Sequence, residues 1–262
     1  SSQFFTGLLM TLPLLDGESV LRSTTPLESA SYVDMTIDCL RQHGIVIDKE
    51  WDGSYRIPGN QHYRPGTYVV EGDYSQAAFW LSAGSLGRAI CCTGLRSKSS
   101  QGDEVIVSLI RDMGGQVEGK TELTACPSDL VGRVIDVEDC PDLVPVLTVL
   151  ASCAKGITRI IHAGRVRLKE CDRLHAMATE LNKIGGDVEE EAEGLIIHGV
   201  GRFTGGTVSG WNDHRIAMAL AVASQRCSQP LRIEGAECVR KSYPEFWQDF
   251  QALGGIIQKE GE

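Results

Sequence analysis

The stretch Leu181-Asn182-Lys183-Ile184-Gly185-Gly186 has the pattern of an amphipathic helix that runs into glycine before a strand, and this pattern recurs along the chain. The other copies are Cys39-Leu40-Arg41-Gln42-His43-Gly44-Ile45, Leu109-Ile110-Arg111-Asp112-Met113-Gly114-Gly115 and Ala252-Leu253-Gly254-Gly255-Ile256. The glycines at 44, 114, 185 and 254 are spaced by 70, 71 and 69 residues, a period that predicts a repeated supersecondary unit. Each glycine is expected to end its helix in the left-handed conformation.

A strand-like segment lies before each of these helices and in the same phase, at residues 17–21, 87–90, 156–160 and 229–233. One unit therefore contains two helices and the strands around them, in the order βαβαββ. The first helices of the four units are predicted at 3–12, 74–86, 141–154 and 212–225. The second helices are predicted at 29–43, 101–113, 169–184 and 242–253. The fold class is α/β, built from repeated βαβαββ units.

A polar loop rich in Gly and Pro, residues 59–66, precedes a predicted strand at 67–70 and marks the expected domain boundary. We assign residues 1–70 to one remaining unit of an amino-terminal domain and residues 71–262 to a carboxy-terminal domain of three units. A single unit without neighbours would expose its apolar helix faces. We therefore expect a further part of the protein to precede Ser1.

The composition restricts the class of partner. Lys and Arg number 25 and Asp and Glu 35, so the net charge is −10, and 42% hydrophobic with 23% charged residues is usual for a globular protein. Because phosphate backbones demand a basic surface, this acidity disfavours a nucleic-acid binder and favours a small-molecule partner. The apolar run 4–15 is too short to span a membrane and has no basic residue before it, so it predicts a buried helix.

Nine cysteines, an odd number without a Cys-x-x-Cys pair, predict reduced thiols and a cytoplasmic location. We expect them to act as small buried apolar residues. A zinc site would need paired Cys or His at short spacing, so no metal site is predicted.

Charged residues cluster in the segment from Arg165 to Arg173, at a predicted helix start. Lys169 and Arg173, one turn apart, could join free backbone N–H groups around a phosphate or carboxylate. The alternative is a solvated helix start with an internal ion pair between Glu170 and Arg173.

The segment Asn212-Asp213-His214-Arg215 also opens a predicted helix. Asn212 or Asp213 is expected to cap it, and Arg215 in the first turn offers a rigid fork for anions. His214 is expected to be a structural hydrogen-bonding residue.

Two further candidates also lie at predicted helix starts. Lys241 comes just before the last helix, and Asp142 occupies the first turn of an apolar helix, where capping is the alternative explanation. If equivalent helix starts converge, Lys169, Arg173, Arg215 and Lys241 would surround one small, multiply anionic substrate.

At these residues the sequence resembles the EPSP synthase family over the whole chain. The matching motifs are Ser1-Ser2-Gln3-Phe4, Val70-Glu71-Gly72-Asp73, Gln101-Gly102-Asp103, Pro141-Asp142, Lys169-Glu170-Cys171-Asp172-Arg173, Asn212-Asp213-His214-Arg215 and Lys241-Ser242-Tyr243-Pro244. The resemblance implies a two-domain fold with six βαβαββ units, an inside-out α/β barrel. It also implies transfer of the enolpyruvyl group of phosphoenolpyruvate to the 5-hydroxyl of shikimate 3-phosphate, with release of phosphate. The step serves chorismate and aromatic amino acid biosynthesis in the cytoplasm, with no metal or organic cofactor and a monomeric enzyme.

The resemblance also implies roles for individual residues. The catalytic residues would be Asp142, Glu170 and Lys169, of which Asp142 would accept the proton of the shikimate hydroxyl and Glu170 would assist proton transfer. The residues that contact shikimate 3-phosphate would be Ser1, Ser2, Gln3, Ser29, Tyr32, Asp142 and Lys169. The residues that contact phosphoenolpyruvate would be Gln3, Arg173, Arg215 and Lys241.

The sequence departs from the family in two respects. Family members are longer at the amino end and carry there a Lys-Ser pair and arginines that bind both substrates, so this chain by itself is expected to be inactive. Many members have an amide just before the Lys169–Arg173 motif, where this chain has His162.

Two alternatives stay open. One is the related enolpyruvyl transferase that acts on UDP-N-acetylglucosamine, which the Lys169–Arg173 and Asn212–Arg215 motifs disfavour. The other is a non-catalytic relative of the fold that binds an anion.

Overall fold

The computed structural model describes residues 2–25, 27 and 30–259. The chain divides into two units, one from the amino end to Glu71 with Lys98–Glu104, and one of Gly72–Ser97 with the residues from Val105 onward. Within the first unit, Ser99 Oγ donates to Glu71 at 2.8 Å and Ser100 Oγ donates to Asp38. The assignment of residues 1–70 and 71–262 to two domains of a larger architecture stays a prediction.

The first unit packs two helices against one small sheet. Its elements are α1 (Ser2–Thr11), β1 (Ser19–Leu21), α2 (Ala30–Gln42), β2 (Asp48–Lys49) and β3 (Tyr55–Ile57). The strands are antiparallel in the order β1-β3-β2. Apolar residues at helical spacing on α1 and α2, such as Phe5 and Leu9, meet Tyr55 and Ile57 of β3 in the core.

The second unit begins with a helix and an antiparallel three-stranded sheet. Its first elements are α3 (Tyr74–Leu86), β4 (Ile90–Cys92), α4 (Ile106–Asp112), β5 (Gln116–Glu118) and β6 (Leu123–Cys126), with strand order β4-β6-β5.

A complete copy of the predicted repeat follows. It comprises β7 (Val134–Asp136), α5 (Val144–Cys153), β8 (Ile157–Ile161), α6 (Arg173–Lys183), β9 (Asp187–Glu191) and β10 (Gly194–His198). The strand order is β7-β8-β10-β9, with β7 parallel to β8 and the other pairs antiparallel. Because β8 alternates buried and exposed residues, Thr158 and Ile160 face the helices.

The second unit ends with β11 (Gly206–Ser209), α7 (His214–Ser224), β12 (Leu231–Glu234) and α8 (Phe246–Ala252). Strands β11 and β12 are parallel. This order agrees with the α/β fold of repeated βαβαββ units.

Helices α3, α5 and α7 form the centre of the second unit. They consist of apolar and small residues on all sides and are buried almost completely, as expected for a helix without a polar face. The three helices pack against one another. Asp142 lies just before α5, and Arg215 lies in the first turn of α7.

The predicted role of the repeated glycines is confirmed. Gly44, Gly114, Gly185 and Gly254 have φ values of 81°, 91°, 88° and 99°. Each one follows the end of a second helix, so the same backbone requirement recurs in all four units.

Three local predictions are wrong. Residues 67–70 form no strand in the described structure, and Val69 and Val70 are both exposed, so the segment has no buried face. The predicted helix 242–253 begins only at Phe246, because Pro244 disfavours helical backbone at the residue before it. The cysteines are all free, but only Cys140 and Cys238 are buried, whereas Cys39 and Cys91 are exposed.

Lys169 does not lie at a helix start either. A 3₁₀ helix, Gly164–Leu168, ends just before Lys169, and α6 begins at Arg173 because the Asp172 carboxylate caps it by accepting from the His175 N–H. The convergence of charged residues therefore depends on a loop as well as on helix ends.

No helix in the described part of the chain combines the length and the apolar character needed to cross a membrane.

Candidate active site

Asp142 lies where a 3₁₀ turn, Pro141–Leu143, leads into the buried helix α5. Its carboxylate is about nine-tenths buried. Three cations contact it: Arg173 Nη1 at 2.7 Å, Lys169 Nζ at 3.3 Å and Arg215 Nη2 at 3.3 Å. An apolar helix thus presents one carboxylate to a cationic cluster.

Arg173 is the first residue of α6 and is only 1% exposed. Besides Asp142, its guanidinium contacts Asp213 through Nε at 2.8 Å and Glu170 through Nη2 at 2.7 Å. The Glu170–Arg173 ion pair weighed as an alternative exists, but it is not a solvated helix start because the arginine is buried. A buried guanidinium requires such partners.

Asp213 connects α6 to α7. The carboxylate is fully buried and caps α7 by accepting a hydrogen bond from the Arg215 N–H at 2.9 Å. It also accepts a hydrogen bond from the Cys171 thiol at 3.6 Å. The prediction of a cap at Asn212 or Asp213 is confirmed for Asp213.

Arg215 links α7 to α3. Its Nη2 donates to Ser75 Oγ at 2.8 Å. Ser75 lies in the first turn of α3, which the Asp73 carboxylate caps by accepting from the N–H groups of Ser75 and Gln76. The amino-terminal ends of α3, α5 and α7 therefore converge, and helix dipoles favour an anion there.

Lys241 ends a 3₁₀ helix, Ala236–Lys241, and its exposed Nζ donates to the carbonyl of Asn212 at 2.6 Å. It therefore lies against the loop that enters α7. All the candidates of the second unit are brought together in this way: Asp142, Lys169, Glu170, Arg173, Arg215 and Lys241.

Three candidates of the first unit are described, and they lie on its two helices. Ser2 is buried at the start of α1, and Gln3 beside it is exposed. Tyr32 is 39% exposed on α2. Ser1 and Ser29 lie outside the described residues.

The cationic cluster controls the charge of Asp142. Burial alone would raise the pKa of this carboxyl, but Arg215, Arg173 and Lys169 outweigh it and hold the pKa far below its usual range. Burial also raises the pKa of Asp213, but the hydrogen bond and charge of Arg173 lower it, and the net effect is a decrease. Both carboxylates are therefore ionised at neutral pH.

His214 lies inside the cluster and is 7% exposed. Burial, and then the charge of Arg215, lower its pKa, so the imidazole is neutral at pH 7. Its Nδ1 is 3.9 Å from Glu170 Oε1 and makes no hydrogen bond within the described residues. The prediction that His214 is a structural hydrogen-bonding residue is therefore not borne out at Nδ1 within the described residues.

Among the described residues, two groups at the surface could each hold a metal ion, since their ligand atoms lie within 4.8 Å of one another: Asp136, Glu138 and His162, and Asp187, Glu189 and the partly buried His198. His162 Nδ1 is 2.9 Å from Asp136 Oδ2 at the ends of the parallel strands β7 and β8. No other feature of these exposed groups points to a bound ion.

Sequence reasoning missed Ser75 and the buried Glu180. Ser75 had a local signal, because it lies two residues after the capping Asp73 and thus in the first helical turn. Glu180 had none, since a glutamate within a helical pattern is usually exposed.

Comparison with known proteins supports the resemblance. Residues 1–250 match the family model of EPSP synthase (3-phosphoshikimate 1-carboxyvinyltransferase). A 3-phosphoshikimate 1-carboxyvinyltransferase from Clostridium kluyveri is 54% identical over 260 residues, covering 99% of this chain and 61% of that protein. Its counterpart from Clostridium acetobutylicum is 51% identical over 259 residues, covering 99% of this chain and 60% of that protein.

Solved structures agree. One of EPSP synthase from Acinetobacter baumannii matches with a TM-score of 0.87 and 26% identity, covering 98% of this chain and 61% of that one. A second from the same organism, at 24% identity and a TM-score of 0.86, supports the fold. The chain thus spans about 60% of the length of the curated relatives it matches.

Proposed function

Because the chain belongs to the EPSP synthase family, we propose that it takes part in the transfer of the enolpyruvyl group from phosphoenolpyruvate to the 5-hydroxyl of shikimate 3-phosphate, with release of phosphate. The reaction would serve aromatic amino acid biosynthesis. The single observation that carries the proposal is the Asp142 carboxylate held against three cations where buried helices begin.

The charges of the cluster suit two anionic substrates. Among the described residues, Arg173 contacts the carboxylates of Asp142, Glu170 and Asp213, and Lys169 and Arg215 contact Asp142. Lys241 contacts the Asn212 carbonyl, and the helix ends add further positive potential. We assign Arg173, Arg215 and Lys241 to phosphoenolpyruvate and Lys169 to shikimate 3-phosphate. Guanidinium groups suit carboxylate and phosphate because they can donate two parallel hydrogen bonds.

In the first unit we propose shikimate 3-phosphate contacts for Ser2 and Tyr32, together with Ser1 and Ser29, and contacts to both substrates for Gln3. These residues offer the hydroxyl and amide groups that hold phosphate and sugar-like hydroxyls.

Asp142 would act as the base at the shikimate hydroxyl. Its low pKa makes the free carboxylate a weak base, but substrate anions bound to Arg215 and Lys169 would offset those charges and raise the pKa. The deprotonated oxygen would attack C2 of phosphoenolpyruvate while the methylene carbon takes a proton. Loss of a proton from that carbon would then expel phosphate and restore the double bond.

Glu170 would exchange the proton with the methylene carbon. It is partly exposed, with one oxygen on Arg173 and the other 3.9 Å from His214. Because the His214 imidazole is neutral, it adds no positive charge next to the Glu170 carboxylate.

We test the proposal by phosphate release from phosphoenolpyruvate, with and without shikimate 3-phosphate. The chain is assayed alone and with a polypeptide corresponding to the part of the Clostridium kluyveri relative that it does not match. With the added polypeptide, we expect phosphate release that depends on shikimate 3-phosphate. Under the same condition, Asp142→Asn should lose about 100-fold or more of this activity, as for removal of a general base.

The matched control is Asp129→Asn, an exposed carboxylate paired with Lys155, which should keep full activity. Release that depends on UDP-N-acetylglucosamine instead would assign the chain to the related transferase. Substrate binding without release under any condition would favour an anion-binding relative.

We also propose that the full-length protein is a monomer and that it lies in a reducing compartment such as the cytoplasm. The nine free thiols support the reducing compartment. Sedimentation equilibrium would test the monomer.

A further inference from the structure

Glu180 is a fully buried carboxylate on α6 that the proposed mechanism does not use. Its charged partner is Lys183, whose Nζ lies 2.8 Å from Oε1 and 2.9 Å from Oε2 and is half-exposed. A buried carboxylate is unfavourable unless its oxygens are well bonded. Its other bonds therefore indicate why it lies there.

Those other bonds lead to the loop between β11 and α7. Glu180 Oε2 accepts from the backbone N–H of Ser209 at 3.0 Å, and Oε1 accepts from the Trp211 indole Nε1 at 2.7 Å. One side chain of α6 thus holds both the start of this loop and its large aromatic residue.

The loop has an unusual backbone. Trp211 and Asn212 are consecutive residues with φ values of 52° and 51°, in the left-handed region. Asn tolerates that region, but a bulky aromatic residue is rarely found there. Such a conformation persists only when surrounding contacts hold it, and Glu180 supplies two of them.

The same loop positions two of the groups assigned to phosphoenolpyruvate. The Asn212 carbonyl receives Lys241 Nζ at 2.6 Å. The next residue, Asp213, caps α7 and accepts from Arg173 Nε at 2.8 Å. A change in the turn at residues 211–212 would therefore displace both Lys241 and Arg173.

We propose that Glu180 is a positioning residue: it holds the left-handed turn at Trp211 and Asn212 and thereby sets Lys241 and Arg173 for the anionic substrate. The part that concerns phosphoenolpyruvate rests on the proposed function. Within the described contacts, Glu180 reaches Lys183, Ser209 and Trp211 and none of the charged groups that surround Asp142.

The test compares Glu180→Gln with Lys183→Gln. Glutamine has one acceptor oxygen in place of two, so it can keep only one of the bonds to Ser209 and Trp211. Lys183→Gln is the matched control, since it removes the partly exposed cation and leaves both carboxylate oxygens on the loop. Trp211→Phe removes the indole bond alone and serves as the second variant if Glu180→Gln does not fold.

Two readouts separate positioning from general destabilisation. In Glu180→Gln we expect amide hydrogen exchange of Ser209 and Asp213 to rise about tenfold, as for the loss of one buried hydrogen bond, with unchanged exchange in α5. In calorimetric titration of the chain together with the complementary Clostridium kluyveri polypeptide, phosphoenolpyruvate should bind about tenfold more weakly and shikimate 3-phosphate as in the wild type, because Lys169 is not held by this loop.

Wild-type exchange in Glu180→Gln, or faster exchange with unchanged affinity for phosphoenolpyruvate, would overturn the proposal. An equal loss of affinity for both substrates would also overturn it, because that is the result of general destabilisation. If the wild-type chain bound neither substrate even with the complementary polypeptide, the proposed function would fail, and the exchange measurement would still decide whether Glu180 holds the turn.

Discussion

Asp142 is a carboxylate whose basicity depends on its neighbours' charges. Arg215, Arg173 and Lys169 hold its pKa far below the usual range although burial acts in the opposite direction. We expect the pKa to rise when phosphoenolpyruvate or inorganic phosphate binds, since an added anion offsets the cations. Carbon-13 NMR titration of the carboxyl with and without ligand measures the shift.

The variant Arg215→Met provides the control for this titration. It removes one of the three cations that lower the pKa of Asp142, so this pKa should already be higher without ligand. A carboxyl pKa that falls or stays constant on ligand binding would contradict the proposed role of the base.

Arg173 is the second residue whose environment leads to a prediction. Arg173→Met would leave Asp142 and Asp213 buried without their main partner, and loss of one member of a buried ion pair costs about 3–5 kcal/mol. Urea denaturation measures the free energy of unfolding. The control is Arg159→Met on the exposed face of β8, whose ion pair with Glu191 should contribute about 0–1 kcal/mol. Equal losses in the two variants would show that burial of Arg173 has no energetic consequence.

At the level of elements, the ends of the second helices depend on glycine. Gly185 has a φ of 88°, and an added Cβ would lie 3.3 Å from Thr204 Cγ2. We expect Gly185→Ala to destabilise the protein by about 1–2 kcal/mol, the steric cost of a left-handed L-residue.

Glycine within a helix should respond in the opposite way. Gly7 lies inside α1, where an added Cβ meets no atom within 4 Å, so Gly7→Ala should stabilise the protein by up to about 1 kcal/mol. Thermal unfolding of Gly185→Ala and Gly7→Ala measures whether each change lowers or raises the stability. Destabilisation by both changes would mean that Gly7 has a contact beyond the described structure.

At the level of the whole molecule, the buried charges predict that stability falls in acid. The pKa of His214 is lowered by burial and Arg215, so the unfolded chain takes up this proton first as the pH falls below about 6.5. The lowered pKa values of Asp142 and Asp213 add a second loss as the pH falls below about 4.

Urea denaturation between pH 4.5 and 8, about the window of these pKa values, measures the first effect. His214→Gln should lose less stability than the wild type between about pH 6.5 and 5. His162 acts in the opposite direction, because its hydrogen bond to Asp136 raises its pKa and its contribution disappears as the pH rises. The difference between His214→Gln and the wild type isolates His214, and identical pH profiles would contradict its buried, neutral state.

Much of the fold and part of the candidate site were predictable because their signals are local. A helix that ends at Gly185 and a cap at Asp213 depend on the backbone of a few neighbouring residues. Asp142 and Arg215 stood out because they are charged residues at the start of helices that are otherwise apolar. The strand predicted at residues 67–70 was wrong because β-branched residues form a strand only where a partner strand and a buried face exist.

The amino-acid sequence alone established the repeat, its period, the helix ends and the set of charged residues at those ends, since these properties follow from short-range sterics and apolar periodicity. The tertiary structure established which charges meet. Arg173 contacts Asp142 and Asp213, which are 31 and 40 residues away along the chain, and Glu180 reaches Trp211 from another helix. The strength and sign of these interactions depend on distance and burial, and both arise only when packing removes water from distant parts of the chain.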